Sequence, residues 1–146
     1  MIKILGAGLS GLSAAINLSQ AGKEVSVFEI KKDVGEHMHP NFQGLLRTNG
    51  KPMGYLKSLN LSPVFEYKNL SKMLLCTRKR ELNVTLKEPI PFVLRGGKNS
   101  LEYGLFKQAQ KSGVEFEFDT KIKEKDVNIV STGHKQCDMA AFGAIY

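Results

Sequence analysis

Hydrophobic and polar positions change their spacing several times along the chain, and each change predicts a new element. Two short apolar runs, residues 2–5 and 25–29, are typical of strands buried in a parallel sheet. Between them, apolar residues recur at helical spacing from Gly11 to Gln20, and Gly22 is a natural end for that helix. The start of the chain therefore predicts a strand–helix–strand unit.

The middle of the chain predicts a different architecture. Residues 30–50 are rich in turn-forming residues and predict a long loop, and residues 52–61 then show helical spacing. Strand-like runs follow at residues 64–67, 72–77, 81–86 and 91–94. Arg78 to Arg80 are expected to form the tight turn between two of these runs. We therefore interpret residues 64–94 as an antiparallel insertion.

The α/β alternation returns after this insertion. Ser100 is predicted to cap the start of a helix that Gly113 ends. Strand patterns follow at residues 114–118 and 127–130, and the second of these runs into residues 131–133. The whole pattern predicts an α/β fold built on a parallel sheet.

The turn between the first strand and the first helix carries the pattern Gly-x-Gly-x-x-Gly at Gly6, Gly8 and Gly11. Gly6 permits the tight turn, Gly8 lets the backbone approach a pyrophosphate, and Gly11 lets the helix pack closely on the strand. The helix N-terminus then offers free N–H groups to phosphates. Glu29, at the end of the second strand, can accept hydrogen bonds from ribose hydroxyls and would repel a 2′-phosphate. The sequence therefore predicts a dinucleotide site.

Length and charge narrow the class of partner. The chain has 146 residues and a net charge of +7, from 21 basic and 14 acidic residues, which fits one domain. The lysines are scattered, and no basic helix with interleaved aromatic residues is evident, so nucleic acid is not an expected partner. Solvated surface charge explains most of the excess, and attraction to an anionic membrane surface is the alternative.

Two further features bear on location. No apolar run approaches the roughly 18 residues that a membrane span needs, and the chain enters a strand at once, which leaves no room for a signal peptide. Cys76 and Cys137 are far apart in the sequence and are interpreted as reduced thiols. These features predict a cytoplasmic protein. The prediction also allows peripheral contact with the inner face of the membrane.

In their order along the chain, these motifs resemble the N-terminal part of FAD-dependent oxidoreductases with the glutathione-reductase-type fold. The resemblance is closest to the geranylgeranyl reductase family and its relatives among flavin hydroxylases. Four segments carry it: residues 6–15 continuing to Glu29, residues 34–45, residues 95–102 and residues 129–133. It implies a Rossmann-like FAD/NAD(P)-binding domain over residues 1–146, with the insertion at 64–94 belonging to the start of a substrate domain.

The same resemblance implies which residues contact FAD. They are Gly6, Gly8, Leu9, Ser10 and Gly11 in the pyrophosphate loop, Glu29, Ile30 and Lys31 at the adenosine, Ile122 at the adenine, Arg95 at the flavin-side phosphate or ribityl chain, and Thr132 and Gly133 closing over the nucleotide. NAD(P)H is the expected type of electron donor.

The chain departs from the family in two respects. Many relatives carry Gly and then Arg after the position of Gly35, where this chain has Glu36 and His37. This exchange removes a bidentate phosphate donor and places an acid near the pyrophosphate. Family members also run for several hundred residues, and their Gly-Asp motif near the flavin lies beyond residue 146. The resemblance therefore implies an incomplete FAD-binding domain.

Two functions stay open on the sequence. The first is the FAD-binding portion of an oxidoreductase that reduces double bonds of isoprenoid (geranylgeranyl) lipids or acts on another apolar substrate. The second is a catalytically inactive module that binds FAD, NAD or ADP, or a gene fragment that needs a complementary C-terminal chain. Because a flavin would perform the redox chemistry itself, no catalytic side chain is named. His37 and His39 are only two positions apart and His134 is distant, so the convergent ligands are too few to predict a metal site.

Overall fold

The computed structural model describes residues 1–36, 38–45 and 51–133. These residues form strands and helices in the order β1 (Ile2–Leu5), α1 (Leu9–Gln20), β2 (Val25–Phe28), β3 (Asn41–Gly44), α2 (Pro52–Ser58), β4 (Tyr67–Cys76), β5 (Glu81–Arg95), α3 (Leu101–Lys111), β6 (Glu115–Glu117) and β7 (Ile129–Val130). A short 3-10 turn covers Glu124–Asp126.

The first of two sheets is parallel throughout. Its four strands lie in the order β6-β2-β1-β7. Ile2 pairs with Val25 and Ile4 pairs with Ile129, so β1 sits between two strands that come from distant parts of the chain. The sheet therefore brings the carboxyl ends of β1, β2 and β7 to one edge.

The second sheet is antiparallel and contains three strands in the order β3-β5-β4. Three of the four short strands predicted in the insertion correspond to parts of two long ones, β4 and β5, whereas the run at 64–67 is a strand only at Tyr67. The long strands are joined by a turn in which the Thr77 amide donates to the Arg80 carbonyl at 2.8 Å. The register shifts where Leu70 faces Ile90 and Lys72 faces Thr85. Together the two sheets confirm the predicted α/β class with an antiparallel insertion.

Two predicted element boundaries were wrong. The first error has its cause in strand pairing with a distant segment, and the second in the local backbone. The segment 30–50 was predicted as loop throughout, yet β3 forms inside it because Asn41 and Gly44 pair with Arg95 and Phe92 of β5. The helix predicted over 52–61 ends at Ser58, since Asn60 adopts a left-handed φ of 59° that no helix continues through. Residues 46–50 of that predicted loop lie outside the described residues.

The hydrophobic core lies between the parallel sheet and the helices α1 and α3, which pack on each other. Leu12, Ala15 and Ile16 of α1 are buried there, and Leu105 and Ala109 of α3 meet them. The apolar stripe on each helix explains this arrangement. At the start of α3, the Ser100 hydroxyl accepts from the Tyr103 amide at 3.2 Å, which confirms the predicted cap.

Candidate functional site

A cavity of about 670 Å³ opens at the carboxyl edge of the parallel sheet. Its lining consists of Leu5, Gly6, Gly8, Leu9, Ser10, Glu29, Ile30, Lys31, Arg95, Thr120, Lys121, Ile122, Ser131, Thr132 and Gly133. In α/β sheets this edge is where ligands bind, because the turns that leave the strands create a crevice there. The cavity is large enough for a dinucleotide portion.

The glycine loop forms one wall of the cavity, and its glycines serve two purposes. Gly6 has a φ of +103°, and a Cβ there would lie 2.5 Å from the Ser131 carbonyl oxygen. A Cβ on Gly11 would collide with the carbonyl oxygen of Gly6. Around Gly8, by contrast, no described atom lies within 4 Å of the position a Cβ would take. Gly6 and Gly11 are therefore required for packing, whereas Gly8 leaves space on the cavity side.

The N-terminus of α1 faces the same cavity. Gly8 is its N-cap residue and has no side chain to accept from the first-turn amides, and the first turn contains no acidic residue. Leu9 and Ser10, the first residues of the helix, line the cavity. Unpartnered first-turn amides and the helix dipole together favour an anion at this position.

Glu29 is held beside the glycine loop by backbone amides. One oxygen of its carboxylate, Oε2, accepts from the Ala7 amide at 2.8 Å, and Oε1 accepts from the Lys31 amide at 3.0 Å. The side chain is half-buried and lines the cavity. Each carboxylate oxygen can accept a further hydrogen bond, so Glu29 is preorganised to bind hydroxyl groups.

Arg95, at the end of β5, is another charged residue of the lining. Its Nε donates to the carboxylate of Glu102, and its Nη1 donates to Gln43 Oε1 at 2.6 Å. The Arg95 side chain is 19% exposed and that of Glu102 is 1% exposed. The cavity therefore carries a fixed positive group at Arg95 and a fixed negative group at Glu29.

The structure brings eleven of the twelve residues that the sequence singled out to the lining of this cavity. The twelfth, Gly11, lies behind the loop, where it permits the close approach of α1 to the Gly6 carbonyl. Glu36, which was expected near a pyrophosphate, instead accepts from the Lys32 amide at 2.8 Å and is absent from the lining. His37 lies outside the described residues.

Sequence reasoning missed four lining residues: Leu5, Thr120, Lys121 and Ser131. The segment after β6 reaches the cavity because the Thr120 amide donates to the Glu29 carbonyl and the Asp119 amide donates to the Lys31 carbonyl, both at 3.0 Å. No local motif marks Thr120 or Lys121, so only the pairing of β6 with β2 could have found them. Ser131 directly precedes a predicted residue, and its position at the end of β7 was the available signal.

Within residues 1–36, 38–45 and 51–133, no group of three or more His, Cys, Asp or Glu side chains is arranged to hold a metal ion. In the same part of the chain, every helix is too short or too polar to cross a bilayer. His134 and Cys137 lie outside the described residues.

Comparison with protein families finds one match. The model of the NAD(P)-binding Rossmann-like domain matches residues 4–73, which contain the glycine loop, Glu29 and β3. A comparison with curated protein sequences gives no significant match. β1, β2 and the glycine loop between them are thus typical of a Rossmann-like nucleotide-binding domain.

Solved structures with a similar fold include oxygenases and a flavoprotein/dehydrogenase of Cytophaga hutchinsonii. A 2-methyl-3-hydroxypyridine-5-carboxylic acid oxygenase mutant is 20% identical, with a TM-score of 0.59 over 81% of this chain and 31% of its own. PqsL of P. aeruginosa, in complex with 2-aminobenzoylacetate, is 17% identical with a TM-score of 0.61, covering 84% of this chain and 34% of its own.

A geranylgeranyl bacteriochlorophyll reductase-like protein of Thermoplasma acidophilum is similar to the same degree. It is 16% identical, with a TM-score of 0.58 over 81% of this chain and 29% of that protein. The chain therefore spans about a third of the length of the structures it matches. At these identities the likeness establishes a shared fold, in which a Rossmann-like sheet is combined with an antiparallel sheet.

Proposed function

We propose that this chain is the FAD-binding portion of a flavin-dependent oxidoreductase. The observation that carries the proposal is the single cavity that joins the glycine loop, Glu29 and Arg95. A plain nicotinamide-binding unit explains the first two features. Arg95 ends β5 of the antiparallel sheet, and a charged donor contributed by that sheet suits a dinucleotide whose flavin-side half extends toward it.

The lining divides into groups that suit successive parts of FAD. The amides at Leu9 and Ser10 would bind the pyrophosphate, with Gly8 giving the backbone access and Gly6 and Gly11 shaping the loop. The contacts proposed for the adenosine half are Glu29 with the ribose, Ile30 and Lys31 beside the adenosine, Ile122 at the adenine, and Thr132 and Gly133 over the nucleotide. When bound, the flavin ring would supply the redox chemistry, and the protein would supply position and charge.

Arg95 would contact the flavin-side phosphate or the ribityl chain. Its guanidinium is charged at any ordinary pH, and it is fixed in the lining by Glu102 and Gln43. A fixed donor in the same cavity as the helix N-terminus adds a second anion contact to the amides of the glycine loop. Because NAD carries an equivalent second phosphate, the contact with the ribityl chain is our reason for preferring FAD to NAD as the ligand.

An apolar substrate such as an isoprenoid lipid, with NAD(P)H as electron donor, is the more specific part of the proposal. It is supported by the family resemblance of the sequence and by the fold shared with a reductase-like protein named for geranylgeranyl bacteriochlorophyll. Because the chain spans about a third of such structures, turnover would require further chain that supplies the substrate side. A catalytically inactive dinucleotide-binding module is the second candidate, and the same partial coverage favours it.

Contact with an anionic membrane would be consistent with the charge of the β4–β5 hairpin. Residues 67–87 contain six basic residues and one acidic residue, a net charge of +5 out of +7 for the chain. Leu74, Leu75 and Leu82 in this hairpin are 52%, 48% and 59% exposed. Basic side chains near an anionic surface each contribute about 1 kcal/mol of attraction. Sedimentation with anionic vesicles but not with neutral ones would support the contact.

The test of the main proposal is a ligand comparison on the purified chain. FAD binding is measured by flavin fluorescence, and NAD and AMP are measured as competitors. The proposal expects FAD to bind more tightly than NAD, because FAD alone has a ribityl chain whose hydroxyls Arg95 can contact in addition to the phosphate. NAD binding as tightly as FAD would favour the inactive module, and no flavin binding would show that the chain alone is not a flavin-binding unit.

A further inference from the structure

Glu102 is the most deeply buried charged side chain near the cavity, with 1% of its surface exposed. It lies in the first turn of α3, and one of its oxygens, Oε1, accepts from Nε of Arg95. The second oxygen, Oε2, is buried and has no hydrogen-bond partner among the described residues. Burying a carboxylate is costly, and one ion pair at a helix N-terminus only partly offsets that cost.

Arg95 is fixed from three sides by segments that are far apart in the sequence. Besides the Nε contact to Glu102 in α3, Nη1 donates to Gln43 of β3 at 2.6 Å and Nη2 lies 3.7 Å from Sδ of Met38. A guanidinium has five N–H groups, and these contacts engage three of them. The two that remain belong to a side chain that lines the cavity.

A purely structural role explains this arrangement poorly. Buried ion pairs generally contribute no more to stability than well-packed apolar side chains of the same volume. The half-satisfied carboxylate of Glu102 makes this pair less favourable still for stability alone. Orientation of the guanidinium is the property that an apolar pair at these positions could not provide.

We propose that Glu102 is a positioning residue for ligand binding. Its carboxylate holds Arg95 in one orientation, so that the two free N–H groups of the guanidinium meet the anionic, flavin-side half of a dinucleotide in the cavity. Gln43 supports the same orientation from β3. This inference rests on the proposed FAD binding and adds to it a residue that does not itself touch the ligand.

The test compares FAD with AMP, which contains only the adenosine end of the dinucleotide. Glu102→Gln keeps the size of the side chain and removes its charge, so FAD affinity should fall about tenfold, or about 1.4 kcal/mol, while AMP affinity changes less than about twofold. Glu115→Gln, an exposed charge removal on β6, is the matched control and should change neither affinity.

Two further variants test the positioning role, the first of them even if Glu102→Gln fails to fold. Gln43→Ala removes an acceptor at an exposed position, so the chain should fold even if Glu102→Gln does not, and FAD affinity should fall about threefold with AMP unchanged. In an Arg95→Met background, Glu102→Gln should cause no further loss of FAD affinity, because the group it positions is gone.

The outcomes separate the two proposals. If the unmodified chain binds FAD and Glu102→Gln and Gln43→Ala leave that affinity unchanged, the positioning role is overturned and the proposed function stands. Equal losses for FAD and AMP, with a lower thermal midpoint, would also overturn it in favour of a structural role. If the unmodified chain binds AMP but not FAD, the proposed function fails, and the positioning role fails with it.

Discussion

The strands of the two sheets differ in how deeply their residues are buried. β2, in the parallel sheet, is buried at all four of its positions, whereas β4, in the antiparallel sheet, has no buried position among ten. β2 lies between β1 and β6, but β4 is an edge strand that pairs only with β5 within the described residues. Stability and the cavity therefore depend on the parallel region, and the hairpin depends on pairing and its turn.

This difference indicates how the two regions tolerate change. A central strand and its helices lose packing energy with every atom removed, because nothing fills the space. A two-stranded ribbon with both faces exposed has little packing to lose and is only marginally stable by itself. The contribution of the hairpin to the molecule is instead positional, since its far end carries Arg95 into the lining of the cavity.

The largest expected effect is on the free energy of unfolding, when one leucine is truncated in the parallel region and one in the hairpin. Leu105→Ala, at a position 1% exposed in α3, should lower the free energy of unfolding by about 3 kcal/mol. Leu82→Ala, at a position 59% exposed in β5, should change it by less than about 0.5 kcal/mol. Urea denaturation followed by circular dichroism measures both values. Similar losses for the two variants would contradict the contrast between the regions.

A second pair of variants separates packing from binding within the glycine loop. Gly11→Ala places a methyl group against the Gly6 carbonyl and should cost about 2 kcal/mol of stability. Gly8→Ala meets no described atom within 4 Å and has an extended backbone, so stability should be kept while FAD binding weakens. Thermal unfolding and flavin titration of both variants test this. Unfolding caused by Gly8→Ala would show that the loop is packed differently.

Glu29→Gln tests the acidic side chain that lines the cavity at the carboxyl edge of the parallel sheet. The carboxylate accepts from two backbone amides, and the neutral amide can still accept one of them, so the fold should persist. The affinity for both FAD and AMP should fall about tenfold, because both ligands contain the adenosine ribose. A loss restricted to FAD would place the ribose elsewhere in the cavity.

The smallest effect concerns the junction between the two regions. Ser100→Ala removes the cap of α3 directly after β5 and should lower the free energy of unfolding by about 1 kcal/mol, with Ser62→Ala at an exposed site as control. Hydrogen exchange should show faster exchange at the Tyr103 amide, which has lost its acceptor. Unchanged exchange there would mean that the cap contributes nothing to α3.

Several parts of the fold could be predicted because their signals are local. The glycine loop, the Ser100 cap and the Arg78–Arg80 turn each depend on neighbours within a few residues. The strand β3 could not be predicted in this way. Its sequence has no clear alternation, and it becomes a strand only because β5 provides the pairing partner.

The residues of the candidate site also divide into those with a local sequence signal and those that tertiary contacts bring to the site. By itself, the sequence determined the glycine loop and Glu29, because a tight turn and the start of a helix follow from the nearest residues. Only the tertiary structure decided that Thr120 and Lys121 join the lining, and that Arg95 is held by Glu102 and Gln43. The physical reason is range: turns and caps form within one segment, whereas strand pairing and buried ion pairs need segments that only the completed fold brings together.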